Sequence, residues 1–139
     1  MASNNPGSNM AAAVDAEMAK YRSLQEEIMQ KRSTLQQLIA QQNENEMVQH
    51  ELQLLKDDSN VYKMVGPVLL KNEIEDAKMT VSKRLEFIVG ELKRVDGSLE
   101  EKEKKATETA QKVNKLQSLM QQATVEAANA VAAEHAKKS

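Results

Sequence analysis

Val61-Tyr62-Lys63-Met64-Val65-Gly66-Pro67-Val68-Leu69-Leu70 is the stretch that decides the fold of this 139-residue chain. Two short apolar runs flank a Gly-Pro pair. Gly66 is free to adopt a positive φ, and Pro67 holds its own φ near about −65° where no backbone donor is needed. The pattern predicts a tight β-hairpin. In extended chain Val61, Lys63 and Val65 point one way and Tyr62 and Met64 the other, and Val68, Leu69 and Leu70 repeat the arrangement on the return strand. Both faces are therefore apolar.

Outward from this hairpin, heptad patterns run in both directions. On the C-terminal side the seam steps by four and three through Ile74, Lys78, Val81, Leu85, Ile88, Leu92, Val95, Leu99, Lys102, Ala106, Thr109, Val113, Leu116, Met120 and Ala123. On the N-terminal side it passes through Glu17, Tyr21, Leu24, Ile28, Lys31, Leu35, Leu38, Gln42, Asn45, Gln49 and Leu52. Such spacing gives each helix a narrow stripe that wants another helix. No Gly or Pro interrupts the chain between Gly7 and Gly66. The amides at Gln42, Asn45 and Gln49 weaken the first seam. Met47, Val48 and Leu55 predict a shift of that seam by one position beyond Asn45.

The expected fold class is mainly α, a long antiparallel two-helix coiled coil with one central β-hairpin. The expected organisation is a flexible tail over 1–13, a hairpin-bearing domain over 14–123 and an Ala-rich, Lys-ending tail over 124–139. Within the domain the helices are expected over 14–57 and 72–123 and the hairpin over 60–71. Lys56-Asp57-Asp58-Ser59-Asn60 ends the first helix with turn-forming side chains. Asn72, with Glu75 three residues on, is the expected N-cap of the second. At a rise of about 1.5 Å per residue, arms of this length extend roughly 70 Å. Gly90 and Gly97 share a heptad position off the seam, where a surface role is the simpler reading.

Composition agrees with an elongated helical chain. Aromatic residues make up 2% of it and Phe87 is the only phenylalanine, which is too little for an ordinary globular core. A net charge of −2 with mixed signs offers no basic surface for a nucleic-acid backbone. With no cysteine there is neither a disulfide nor a thiolate metal site, which suits the cytoplasm or the nucleus. Residues 1–13 lack the basic and apolar regions of a signal peptide, and no window is long and apolar enough for a membrane span. No membrane partner is expected.

His50 and His135 lie on different segments and suggest no metal site. No glycine-rich nucleotide loop is present. The carboxylates fall in mixed runs such as Glu100-Glu101-Lys102-Glu103-Lys104-Lys105, which read as a solvated helix face. Neither an enzyme nor a cofactor is expected. Lys83-Arg84 and Lys93-Arg94 are either solvated charges or a meeting point for an acidic partner.

An isolated two-stranded hairpin is marginal in water, and this one shows apolar side chains and open strand edges. Pairing with hairpins of other chains is the economical cover. The oligomerisation set is Val61, Tyr62, Met64, Val65, Gly66, Pro67, Val68, Leu69 and Leu70. The coiled-coil seam is carried by Leu24, Ile28, Leu35, Leu38, Val81, Leu85, Ile88, Leu92, Val95, Leu99, Val113 and Leu116.

This plan, and much of its wording, resembles the beta-class prefoldin family. The resemblance is carried by Asn43-Glu44 with Val48 and Glu51-Leu52, by Leu54-Leu55, by Asn60-Val61-Tyr62-Lys63, and by Val65-Gly66-Pro67-Val68-Leu69 with Lys71. The run Val81-Ser82-Lys83-Arg84-Leu85-Glu86-Phe87-Ile88 with Glu91-Leu92-Lys93-Arg94 is most like the eukaryotic subunit-six branch. The resemblance implies a heterohexamer of two alpha-class and four beta-class subunits, with hairpins joined into β-barrels and coiled coils hanging from them. It also implies that unfolded polypeptides, actin and tubulin above all, are held at the arm ends without ATP and passed to the group II cytosolic chaperonin.

A client-holding tip needs apolar surface that stays exposed and adaptable, a role that suits methionine. The candidates are Met10, Val14, Met18, Leu119, Met120, Ala123 and Val125. For Met18 and Met120 the alternative is that they simply finish the seam. The other reading of the whole chain is a coiled-coil structural or tethering subunit of a different complex. A plain tether, however, could join its helices by a short polar loop instead of apolar strands.

Overall fold

The computed structural model describes residues 6–56 and 58–138. Its elements follow in the order α1 (Pro6–Leu54), β1 (Val61–Val65), β2 (Val68–Asn72) and α2 (Ile74–Lys138). This is the mainly α class with one antiparallel hairpin. The helices are longer than expected at the free ends. α1 starts at Pro6 instead of residue 14, because proline is at home in a first turn and Ala11-Ala12-Ala13 are the strongest of helix formers. Residues 6–13 are thus helix and not a flexible tail, while 1–5 lie outside the described residues. α2 continues through 124–138 without a break, carried by alanine propensity and by His135, Lys137 and Lys138 at the negative end of the helix dipole.

Near the hairpin the helices are shorter than expected. α1 stops at Leu54, where the Leu55 N–H donates to the Leu52 carbonyl at 3.3 Å in a tightened last turn, and the Ser59 N–H donates to the Lys56 carbonyl at 2.9 Å. Asn72 is not the N-cap of α2, because its backbone is taken up by the strand ladder opposite Val61. The first helical bond runs from the Ala77 N–H to the Glu73 carbonyl at 2.9 Å, which makes Glu73 the cap position. Glu75 and Asp76 then lie in the first turn, where negative charge is favoured.

The chain forms two units, Gln30–Leu99 and Met1–Met29 with Glu100–Ser139. In the first, Leu52, Ala77 and Val81 form a buried cluster against which Val61 and Leu85 pack. Ile88, Val95 and Leu99 continue the buried stripe of α2, with Val95 only 1% exposed. Leu35, Leu38, Gln42, Asn45 and Gln49 are the half-buried stripe of α1, and Leu85 and Leu92 are half-buried on α2. The expected shift of the α1 seam does not occur: Met47, Val48 and Leu55 are exposed, and Gln49 and Leu52 keep the original spacing. The amides are tolerated because they stay half in water, so little desolvation is incurred.

In the second unit Val14, Ile28, Ala106 and Thr109 are buried, with Tyr21, Leu24, Val113, Leu116 and Met120 half-buried beside them. The Thr109 hydroxyl donates to the Lys105 carbonyl at 2.8 Å, so a polar group on the seam is satisfied within its own helix. Lys102, also on the seam, donates from Nζ to Glu27 Oε2 at 2.8 Å and ties α1 to α2. Both groups keep contact with solvent, so the pair contributes at most about 1 kcal/mol.

A Cβ added at Gly90 or Gly97 meets no atom within 4 Å. Each glycine sits inside a helix, off the seam, in open space. Gly90→Ala and Gly97→Ala are therefore expected to stabilise the chain by about 0.5–1 kcal/mol each. Gly66, at φ +59°, is the opposite case, and Gly66→Val is expected to destabilise by about 1–2 kcal/mol. Urea titrations of the three variants check both signs; a Gly90 or Gly97 variant that lost stability would mean that the helix back is not free surface.

Candidate functional site

The hairpin pairs Val61 with Asn72, Tyr62 with Lys71, Lys63 with Leu70, Met64 with Leu69 and Val65 with Val68. The connection is the two residues Gly66 and Pro67, whose positive then negative φ is the sequence of signs in a type II′ turn. Paired residues share a face. One face therefore carries Val61, Lys63, Val65, Val68, Leu70 and Asn72, and the other Tyr62, Met64, Leu69 and Lys71. Every apolar residue from Tyr62 to Leu70 is exposed, Met64 at 74%. Val61 is the exception, because it turns back onto the Leu52 cluster and belongs to the chain's own core.

Among the described residues β1 and β2 form a two-stranded sheet, so each has one edge with no described strand beside it. Edges of this kind accept further strands. With apolar side chains on both faces and an open edge on each strand, the hairpin offers cover-seeking surface on two faces and two edges. Burying such a Val, Leu or Met side chain fully against a partner yields about 1.5–3 kcal/mol each. Lys63 and Lys71 lie one on each face and keep the exposed hairpin from being uniformly apolar.

At the free ends the expected tip residues divide. Val14 is buried at 7% and is seam, not free surface, because it falls in the stripe that leads on to Glu17 and Tyr21. Met10, Met18 and Met120 are half-buried. Leu119, Ala123 and Val125 remain exposed. Val131 is exposed as well and was not among the expected residues; continuing the helix past residue 123 would have revealed it. Met29, Met79 and Phe87 are further exposed apolar side chains off the seam that heptad reading alone leaves out.

Titratable chemistry in the described residues is that of a solvated helix surface. Arg94 Nη2 donates to Glu91 Oε2 at 2.7 Å and Arg94 Nε to Glu91 Oε1 at 3.2 Å. These hydrogen bonds hold the Glu91 carboxyl below its ordinary value and push the Arg94 guanidinium up. Among the described residues no group of three or more His, Cys, Asp and Glu is placed to hold a metal ion. No described helix is long and apolar enough to cross a membrane.

Comparison with known proteins agrees with this geometry. Residues 15–122 match the family described as "Prefoldin subunit". Prefoldin subunit 6 of Arabidopsis thaliana is 45% identical over 92 residues, covering 66% of this chain and 70% of that protein. Prefoldin subunit 6 of Homo sapiens is 37% identical over 117 residues, covering 84% and 91%. Among solved structures, the prefoldin beta subunit from Thermococcus strain KS-1 superimposes with a TM-score of 0.70 at 20% identity, covering 83% of this chain and 96% of that one. Fold, matched residues and relatives coincide, and the chain belongs to the prefoldin subunit family.

Proposed function

We propose that this chain is one beta-class arm of a heterohexameric, ATP-independent holdase. Its hairpin joins alpha-class and other beta-class prefoldin subunits. Its free end holds unfolded polypeptides such as actin and tubulin before they pass to the group II chaperonin of the cytoplasm. The observation that carries the reading is the hairpin. It is ordered by its own turn and strand ladder, yet leaves Tyr62, Met64, Val65, Val68, Leu69 and Leu70 in water. A monomer gains nothing from such a surface, whereas strand addition buries it.

Holding a client is assigned to Leu119, Ala123, Val125 and Val131, which are exposed along the last part of α2. Unbranched Met10, Met18 and Met120 are half-buried and can re-pack around unlike sequences. The test is to co-express the chain with alpha-class and beta-class partners, determine the mass of the complex, and follow aggregation of unfolded actin without ATP. A hexamer that suppresses aggregation is expected. Leu119→Ser, Val125→Ser and Val131→Ser together are expected to leave the hexamer intact and to lower suppression severalfold. A complex of another stoichiometry that holds no unfolded protein would favour the tethering alternative.

A further inference from the structure

Two furrows flank the seam at the level of Asn45 and Ile88, and they carry opposite charge. One contains Glu46 and Glu86 and no cation. The other contains Lys83 and Arg84 and no carboxylate, with Phe87 and Ile88 as its apolar wall and floor and Gln41 and Asn45 along its far side. Heptad positions explain the division, since the α2 residues of the first lie on one flank of the seam and those of the second on the other. Asn45 borders the second furrow, and its Nδ2 donates to the Gln41 carbonyl at 2.7 Å, which holds the amide nitrogen along its own helix.

Phe87 is the only phenylalanine of the chain and is 68% exposed. It stands within one helical turn of two cations. Among the described residues no ion pair holds Lys83 or Arg84, whereas Arg94 is clasped by Glu91, Lys78 by Glu75 and Lys102 by Glu27. The furrow thus combines an unburied aromatic ring, two uncompensated positive charges and an Asn45 carbonyl oxygen still free to accept.

We propose that this furrow docks an acidic peptide segment of a partner protein. Carboxylates of the segment engage Lys83 and Arg84, an apolar side chain lies against Phe87 over Ile88, and Gln41 and Asn45 bond its backbone. Charge complementarity sets the sign of the partner and the exposed ring sets its need for an apolar anchor. A second copy of this chain is a poorer fit, because its carboxylates Glu46 and Glu86 themselves line a recess, and a recess does not fill a furrow. A phosphate backbone is a poorer fit too, since two cations on a chain of net charge −2 make a short electrostatic footprint.

The test uses the full chain and a fluorescein-labelled probe peptide of about ten residues, glutamates around a Leu-Phe anchor, read by anisotropy. Its control is the same peptide with lysine for glutamate. Binding of the acidic peptide alone is expected, weakening as salt is raised from about 0.05 M to about 0.5 M. K83E/R84E and F87S are each expected to lower affinity by about tenfold or more, and E46K/E86K, across the seam, to leave it unchanged. Should K83E/R84E reduce helicity, K83Q/R84Q is read in its place with the same expected loss. Equal binding of the lysine peptide, absence of binding, or indifference to both K83E/R84E and F87S overturns the proposal. So does a sedimentation result in which K83E/R84E dissolves a homo-oligomer that the acidic peptide does not compete for.

Discussion

Glutamate at both Val65 and Val68 is expected to remove the chain from any complex with partner subunits while leaving its helicity almost unchanged. The two residues face each other beside the turn, and both are about half exposed in the chain alone. There the carboxylates stay hydrated, and the main cost is repulsion across one strand pair, about 0.2–1 kcal/mol. At an interface built on this hairpin the same carboxylates lose their water with no cation designed to meet them. That costs several kcal/mol per group, and each 1.4 kcal/mol is about tenfold in affinity. Loss by about a thousandfold or more is the expected outcome, read by co-purification with partner subunits and far-UV circular dichroism. Retained co-purification would mean that another surface carries assembly. Val61→Glu is predicted to behave differently, because Val61 packs on Leu52, Ala77 and Val81 and its loss also weakens the fold.

The second large effect is expected at Val95, whose side chain is more completely buried than any other among the described residues. Val95→Asp puts a carboxyl where no hydrogen-bond partner is available, at a cost of several kcal/mol, whereas Val95→Ala removes only two methyl groups and costs about 1–3 kcal/mol. The aspartate variant also acquires a pH dependence of known sign. Burial raises its folded-state pKa above the unfolded value of about 3.9, so the folded state binds the proton more tightly. Stability relative to Val95→Ala is therefore highest below about pH 4 and declines as pH rises toward the folded-state pKa. Thermal melts at about pH 4 and about pH 7 read the difference. A pH-independent gap between the two variants would show that the aspartate reaches water.

Most of the fold was legible because it is local. The Gly66-Pro67 turn, the alternation around it and the three-four spacing of Val81, Leu85, Ile88, Leu92, Val95 and Leu99 each specify a neighbour a few residues away. The helix ends were less legible. Near the hairpin the strand ladder takes Asn72 from its expected capping role, and that competition between two hydrogen-bonding schemes is settled by register. At the free ends propensity alone extends α1 to Pro6 and α2 to Lys138, where the heptad stripe has already faded. For the surfaces, composition could name apolar residues but not their exposure: Val14 and Val125 look alike in sequence, yet one is buried and the other exposed at 53%. Phe87 reads as one more apolar helix residue until the seam is seen to pass it by.

The salt bridge between Lys102 and Glu27 joins residues 75 apart in the chain, whereas Leu52 meets Ala77 and Val81 across little more than the hairpin itself. Closing a long loop costs more conformational entropy than closing a short one, though the cost grows only slowly with length. The seam is therefore expected to zip from the turn toward the termini during folding, the contacts with the largest loop to close forming last. Run backwards, the same order is expected to make the termini the first part to open. Amide exchange should slow progressively from residue 120 toward residue 77, a gradient set by chain connectivity and not by any one side chain.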